Sequence, residues 1–597
     1  VGLYLIIVNM RTLLVYIFSF FSFILHAQDK HDFIWLLGSA PSNAPFFTGG
    51  NRIDFSEGNP SVQFQDLYSD MDNPIIMSDE NGILQWYTSG CDVINAEHQV
   101  MENGENLSPG NIHQQYCDQA GWGYLSYQGI LGLPWPDKPG QYILLHNRFF
   151  SFQFLDTIDV LESVIDMNYN NGFGKVISKN QVLLSGNLNR SLTSVRHGNG
   201  RDWWIVIMER YSSTYHVFIL DPTGLHGPYT QQVDGTGWNG ALQSGSYMCT
   251  FSPDGRKFVR VLANKPAQFR IYDFDRCSGT LSNSTTISLP DTIMYAGWAS
   301  FSPNSRYLYV SNEGERLYQF DTQADDIENS RLLVGEYDGY LSVFNVPTPP
   351  YAMVIGPDQR IYMTSGNGAN LLHRIEYPDS AGVACSLRQH DIILPAQILF
   401  HPPNNPNYRL YNLPGSPCDT LGIKPPLEAY WRSGHDTMQG PLELQFTDLS
   451  YYEPVYWLWD FGDGTIDSTR SPVHQFPGPG IYEVCLTVCN ANGMCDTQCR
   501  DVEIITVGTQ QPNGGEPRSV RIYPNPTAGD WKIVWQQDVS PGEWHTTVFD
   551  LSGKMVYTAS QNDRQALMPP LEPGFYVVKI ECEGRIYTVK LVSTSPR

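Results

Sequence analysis

Positive charge is scarce in this chain. Lysine and arginine together number 37 against 61 aspartates and glutamates, which leaves a formal charge of -24 at neutral pH. Phosphate binding needs a basic face, so a nucleic-acid role is excluded. Charge of either sign is thin, at 16% of 597 residues. The Ala/Glu/Lys/Leu runs that build exposed helices are nearly absent, which excludes a coiled coil or helical bundle. Past residue 28 no stretch is apolar enough to span a bilayer. Also missing are an H-E-x-x-H zinc motif and a G-x-S-x-G nucleophile elbow.

What is present is glycine (52), proline (41) and aromatic residues (13%). That balance favours short strands joined by Gly/Pro/Asn turns, and so all-β domains. The length calls for more than one of them. The excess of acid suits a solvated extracellular surface.

The N-terminal region agrees with export. Met10-Arg11 precedes the apolar run Leu13 to Leu25, which ends at His26-Ala27-Gln28. A cation, a short apolar core and a small residue at a polar break describe a secretory signal peptide. Residues 1–28 are read as that signal, with Met10 as initiator and Val1 to Asn9 as an upstream extension from a misplaced start. The rival is a membrane anchor over Leu3 to Leu25, which Arg11 interrupts. Cleavage after Ala27 or Gln28 is expected, leaving a chain that is not an integral membrane protein.

All 11 cysteines lie beyond this signal. An exported chain makes disulfides plausible, and the odd count leaves at least one thiol unpaired. Asn490-Ala491-Asn492-Gly493-Met494 is a credible hairpin loop. Folding there sets Cys489 opposite Cys495 and Cys485 opposite Cys499, all on one face. A four-thiolate zinc site from two C-x3-C pairs is the competing reading, disfavoured in an oxidising space.

Residues 29–413 read as repeated four-strand units. Their markers are Phe251-Ser252-Pro253-Asp254-Gly255-Arg256, Phe301-Ser302-Pro303-Asn304-Ser305-Arg306 and the weaker Ile355-Gly356-Pro357-Asp358-Gln359-Arg360, with Phe400-His401-Pro402-Pro403 as a candidate fourth. The spacing, roughly 45 to 55 residues, is that of β-propeller blades. Gly82 to Thr88, Gln141 to His146 and Trp203 to Met208 read as inner strands of earlier blades. About seven blades are expected, closed by pairing of strands near Ile398 with strands near Phe33. The segments Asn81 to Thr88, Asn95 to Gly104 and Leu192 to Trp204 resemble secreted bacterial propeller proteins joined to PKD and sorting domains. That resemblance implies location and architecture more than a reaction.

A proline-rich linker, 414–426, precedes a second region, 427–507. Its Trp459-Asp460-Phe461-Gly462-Asp463-Gly464 closely resembles the PKD-domain signature, which implies an immunoglobulin-like β-sandwich. Val455, Trp457, Trp459 and Phe461 share one strand face and are expected to be buried between two sheets. Asp463-Gly464 supplies a turn that tolerates positive φ. Its acids suit structural calcium, although turn-building is the preferred role. A flexible linker, 508–517, follows.

Residues 518–597 carry Tyr523-Pro524-Asn525-Pro526, a turn at Gly553 and a hairpin entry at Gly574. These resemble the type A C-terminal sorting domain of the bacterial type IX secretion system. The resemblance implies a small β-sandwich, secretion machinery as partner, and delivery to the cell surface or medium.

Candidates for chemistry are few. Gly235-Thr236-Gly237-Trp238-Asn239-Gly240 matches G-x-G-x-x-G, but Ala241-Leu242-Gln243-Ser244-Gly245 is a poor helix start, so a turn is preferred. Gly174-Lys175 lacks the rest of a P-loop. His197, beside Arg201-Asp202, is the histidine favoured to line the axial channel, against the plainer reading of a turn histidine. Asp70, Asp72 and Asn73 have only partial calcium-loop spacing, and Asp325-Asp326-Ile327-Glu328 reads as a solvated loop. Aromatics in Gly121-Trp122-Gly123-Tyr124 and Leu133-Pro134-Trp135-Pro136 suit either ligand contact or packing between blades. No catalytic, cofactor-binding or metal residue is assigned and no cofactor is expected. A surface interaction or adhesion protein is expected, with the propeller as binding face, the PKD domain as spacer and an extracellular protein or glycan as ligand. The alternative is an extracellular propeller enzyme, a hydrolase or lyase acting on a polymer.

Overall fold

The computed structural model describes residues 29–39, 49–71, 74–121, 123–124, 128–150, 157–210, 212–233, 246–262, 267–290, 296–312, 315–342, 345–424, 427–434, 442–452, 454–504, 520–523, 531–535, 544–550, 555–561, 565–569, 571, 574–582 and 585–593. The signal region, Asp72, Asn73, Trp122, the Gly235 to Gly240 match, the 508–517 linker, Pro524, Asn525, Pro526 and Gly553 lie outside them. Two compact units form: Val1–Gly434 with Gln445–Pro472 and Val484–Arg500, and His435–Leu444 with Val473–Glu483 and Asp501–Arg597.

The first unit opens with seven sheets, each an antiparallel meander of consecutive strands. Blades one and two show three strands each among the described residues: Ile34–Gly38, Gly50–Asp54 and Ser61–Gln65, then Ile75–Ser78, Leu84–Thr88 and Ile94–Asn95. Blade three is Ile130–Pro134, Gln141–Phe149, Ile158–Asp166 and Lys175–Gly186. Blade four is Leu188–Arg196, Trp203–Glu209, Thr214–Asp221 and Gly224–Gln232. Blade five is Ser246–Phe251, Lys257–Leu262, Gln268–Asp275 and Thr280–Ser288. Blade six is Ala296–Phe301, Tyr307–Asn312, Arg316–Asp321 and Leu332–Glu336. Blade seven is Met353–Ile355, Ile361–Met363, Leu371–Ile375 and Leu387–Ile393. The fold is all-β, a seven-bladed propeller. The strands over Leu84–Thr88, Gln141–Phe149 and Trp203–Glu209 are each second in their sheet, with a hydrogen-bonded neighbour on both sides.

The repeated marker is the turn between first and second strands. Ser252 Oγ donates to Asp254 Oδ1 at 2.5 Å and accepts from Lys257 N at 2.9 Å. Ser302 repeats this with Asn304 (2.7 Å) and Tyr307 N (2.8 Å). Each turn then needs a left-handed residue, and Gly255, Ser305 and Gln359 take φ of 71°, 63° and 62°. Strands on both sides are apolar on both faces, so adjacent blades bury each other: all six residues of Tyr307–Asn312 are buried.

Ring closure differs from the expected strand pairing. Among the described residues no ladder joins the chain near Ile398 to that near Phe33. Instead Phe33, Trp35 and Ile53 pack with Tyr362, Leu372 and Ile398 in one apolar cluster. Asn51 Nδ2 donates to Ala396 O at 3.0 Å, and its Oδ1 accepts from Ala396 N at 2.8 Å. Asn370 and Ala369 hold Leu394 and Ile398 by backbone bonds, so the first blade meets a side-chain clamp where a strand was expected.

Trp431–Gly434 pairs with Glu443–Asp448 through Trp431↔Asp448 to Gly434↔Gln445. Pro454–Asp460 pairs with Gly480–Asn490 through Trp459↔Leu486. Trp431, Phe446, Trp459 and Phe461 are buried together between these strands. The expected face is only half right: Val455 is exposed at 58%, Trp457 half-buried. Disulfides join Cys485 to Cys499 and Cys489 to Cys495.

These strands do not stand off on a linker. Tyr430 Oη donates to Phe55 O at 2.6 Å, and Tyr451 Oη donates to Pro357 O at 3.2 Å. Arg432 Nη1 reaches Glu376 Oε1 at 2.8 Å, and Arg360 Nη2 reaches the same oxygen at 2.6 Å. Burial pushes the Glu376 carboxyl up, but Arg360, Arg374 and Arg432 outweigh it and hold it at about 2. The Tyr430 hydroxyl and the Arg360–Glu376–Arg432 ion pairs are buried, so these strands are held firmly against blades one and seven.

In the second unit, Val520–Tyr523, Trp531–Trp535 and Gln565–Met568 form one sheet. Met555–Gln561, Trp544–Asp550, Gly574–Cys582 and Arg585–Ser593 form the other. Trp531, Ile533, Trp544, Val548 and Val578 fill the space between them, giving a small β-sandwich. Tyr523 ends its first strand, and Gly574 opens the strand that pairs Gly574↔Ser593.

Candidate functional site

The propeller's axial channel is crossed by its own chain. Phe400-His401-Pro402-Pro403, expected to open another blade, instead begins a segment without regular structure that runs from blade to blade. Thr364 Oγ1 in blade seven donates to Phe400 O at 2.6 Å, and the His401 ring lies 5.1 Å from Trp298 of blade six. Asn404 Nδ2 donates to Ile130 O of blade three (2.8 Å) and Leu192 O of blade four (3.0 Å). Asn407 Nδ2 donates to Pro253 O beside blade five at 2.9 Å. Tyr408 Oη donates to Gly132 O at 3.1 Å, and Arg409 pairs with Asp32 just ahead of blade one at 2.7 Å. Prolines remove donors that an extended, buried segment cannot satisfy, and asparagines supply side chains that satisfy the inner strands.

The segment is pinned at its far end. Leu413 N donates to Gly198 O at 2.8 Å, and Cys418 is bonded to Cys277 in the turn between the last two strands of blade five. A Cβ on Gly198 would collide with the Cys418 sulfur, so glycine is required there for the backbone to approach. Arg276 Nε donates to Arg196 O at 2.8 Å, and its Nη2 donates to Tyr411 O. A second bridge, Cys91–Cys117, ties the turn between the last two strands of blade two to the helical turn at Gln114–Gln119. Neither bridge is signalled by local spacing, because their cysteines lie 141 and 26 residues apart.

Beside the crossing segment is a cavity of about 510 Å³. Inner strands of blades four to seven wall it, and residues 402–407 and 409 line it. Thr193, Ser194, Thr250, Ser300, Trp298 and Asn405 give the wall its character, hydroxyl and amide groups around an indole. Gln128 is positioned across it: Nε2 donates to Cys249 O at 2.7 Å and Oε1 accepts from Cys249 N at 3.0 Å. Ser194 Oγ and both amide atoms of Asn405 are buried without a hydrogen-bond partner in the protein. Asp379 also lines the cavity, and burial raises its carboxyl pKa although it accepts from Asn304 N at 2.9 Å.

None of the residues weighed from sequence as candidates for chemistry lines this cavity, although the blade-marker turns reach it through Phe251, Asp254, Phe301 and Ile355. His197 sits in a blade turn, where Nδ1 accepts from Asn199 N at 2.9 Å and Nε2 meets Cys277 O at 3.2 Å. Asp460 Oδ1 accepts from Gly462 N (3.0 Å), and Asp463 Oδ1 accepts from Thr465 N (3.0 Å) and Oγ1 (2.6 Å), so both carboxylates close the turn. Asp326 caps its own loop through Asn329. Tyr124 is buried with its hydroxyl accepting from Phe149 N at 2.9 Å, and Trp135 Nε1 donates to Asp221 O at 3.0 Å; both are packing residues between elements. Among the described residues no group of three or more His, Cys, Asp or Glu is arranged to hold a metal ion, and no helix is long and apolar enough to cross a membrane. The missed residues had one signal, the run Pro402-Pro403-Asn404-Asn405-Pro406-Asn407. Proline and amide alternate there without the serine and glycine of a linker.

Comparison with known proteins places two domains. Residues 425–505 match the PKD domain family, and residues 521–594 match the secretion system C-terminal sorting domain. A microbial collagenase of Vibrio alginolyticus is 39% identical over 51 residues, 8% of this chain and 6% of that protein. The chain thus spans about 6% of the length of that curated relative. The PKD1 domain of a Vibrio cholerae metalloprotease is similar over 14% of this chain and 99% of its own, with 25% identity and a TM-score of 0.13. A putative 6-phosphogluconolactonase of Bacteroides uniformis is similar over 62% of this chain and 98% of its own, with 14% identity and a TM-score of 0.37. The chain is a bacterial secreted protein in which a β-propeller is followed by a PKD domain and a type IX sorting tail, and that tail engages the secretion machinery and directs export to the cell surface or extracellular space.

Proposed function

We propose that the protein is a surface-displayed or released binding protein whose propeller carries the ligand at the mouth of its channel. The observation behind this reading is the crossing segment. By occupying the axis from Phe400 to Arg409, it converts a channel into a walled cavity whose hydroxyl and amide groups converge on one space. The PKD strands buttress the rim: Tyr451 and Arg470 belong to the cavity lining. No cofactor enters this reading, and the acidic PKD turn acts as a turn.

The alternative, an extracellular propeller enzyme acting on a polymer, draws on Asp379, a cavity carboxyl with its pKa raised by burial. The deciding experiment screens the purified exported protein against glycan and protein arrays and, in parallel, for polymer turnover. Retained ligand without turnover supports binding. Turnover abolished by Asp379→Asn overturns it.

A further inference from the structure

We infer that the cavity takes an uncharged, polyhydroxylated ligand, the terminus of a neutral glycan. This rests on the binding role proposed above and adds the chemistry of what is bound.

Size comes first. A volume of about 510 Å³ falls within the roughly 300–1,000 Å³ typical of small-molecule sites. Charge then narrows the class. Each ionisable group at the rim already has a partner in the protein: Asp32 holds Arg409, Arg470 reaches Asp448 at 3.0 Å, Asp254 accepts from Ser252 and Arg256 N, and Asp379 accepts from Asn304 N. A charged ligand would have to break one of these pairs or bury its own charge uncompensated, and either costs more than a neutral contact returns. Peptides bring ionised termini and side chains; a neutral sugar brings hydroxyls.

The unmatched groups complete the argument. Ser194 Oγ, Asn405 Nδ2 and Asn405 Oδ1 are buried with no partner in the protein, an arrangement that costs stability wherever it stays unmet. A sugar hydroxyl donates and accepts at once, so neighbouring hydroxyls can satisfy an amide's donor and acceptor together. Trp298, in the same wall with His401 packed against it, adds apolar surface to the cavity.

The test is titration calorimetry of the intact exported protein against three panels: neutral oligosaccharides, matched uronic-acid oligosaccharides and peptides. Neutral oligosaccharides are expected to bind, and Ser194→Ala and Asn405→Ala each to weaken them tenfold or more. Ser194→Ala removes a buried hydroxyl that no protein group uses, so its melting temperature should hold or rise; if Asn405→Ala unfolds, Ser194→Ala alone decides. Binding confined to uronates or peptides, or neutral binding indifferent to Ser194→Ala, overturns the ligand assignment and leaves the binding role standing. Polymer turnover with no retained ligand overturns the binding role, and the assignment with it.

Discussion

Asn51 and Ala396, separated by 345 residues, exchange two hydrogen bonds: the side-chain amide of one meets the backbone N–H and C=O of the other at 2.8 and 3.0 Å. Asn51 Nδ2 also donates to Leu37 O at 3.1 Å. One fully buried amide thus fastens the last blade to the first. Asn51→Leu keeps the volume but leaves the N–H and C=O of Ala396 unpaired, so a loss of about 2–4 kcal/mol is expected. Chemical denaturation of the purified protein measures it; an unchanged midpoint would show that the apolar cluster alone closes the ring.

Glu376 accepts from Arg360 and Arg432 at once, and all three are buried. Glu376→Ala strands the Arg432 guanidinium and leaves Arg360 with Asp358 as its remaining carboxylate, and a loss of about 3–5 kcal/mol is expected. Thermal unfolding should fall accordingly, and Glu376→Gln should recover only part of it.

Glu428 titrates the other way. Burial, with Asp496 and Asp29 nearby and only Lys30 opposing, raises its carboxyl from 4.5 to about 7. A raised acid favours its protonated form in the fold, so its contribution is complete below pH 4.5 and fades as pH rises through 7. Glu428→Gln should be no more stable than wild type at pH 4.5, but more stable by roughly 1–3 kcal/mol at pH 8. Denaturation midpoints across pH 4.5 to 8 test the sign. Glu376, held at about 2, contributes fully above 4.5 and loses its share only as pH falls below that, outside this window.

Cys277–Cys418 closes a loop of 141 residues. Replacing both cysteines with alanine should cost about 2–5 kcal/mol through freedom regained by the unfolded chain. It should also open the stretch between Ile398 and Cys418 to limited proteolysis, read by mass spectrometry of the fragments. Resistance equal to wild type would show that the asparagine contacts suffice.

Deleting residues 518–597 removes the sorting domain matched at 521–594. The exported chain should then accumulate in the periplasm, as cell fractionation would show; unchanged surface delivery would assign the address elsewhere.

The legible parts of this fold are those written in local chemistry. Ser252 and Ser302 serve turns completed within five residues, so the blade repeat shows in sequence. Phe400-His401-Pro402-Pro403 imitates that marker but has no hydroxyl to receive the returning N–H, and it becomes the crossing segment. Trp459 and Phe461 are read correctly as core, whereas Val455, on the same alternation, is exposed. The cavity was invisible for a different reason. Ser194, Thr250, Trp298 and Asn405 come together only when three blades and the crossing segment assemble, and no spacing along the chain records that meeting.

The crossing segment also sets where this protein can be cut. Pro414-Gly415-Ser416-Pro417 looks like a natural seam for moving the propeller onto another carrier. A cut there would deprive Cys277 of Cys418 and Glu376 of Arg432, exporting a ring with its latch and its brace removed. The portable piece is longer: it ends no earlier than Arg500, the last residue of the first compact unit.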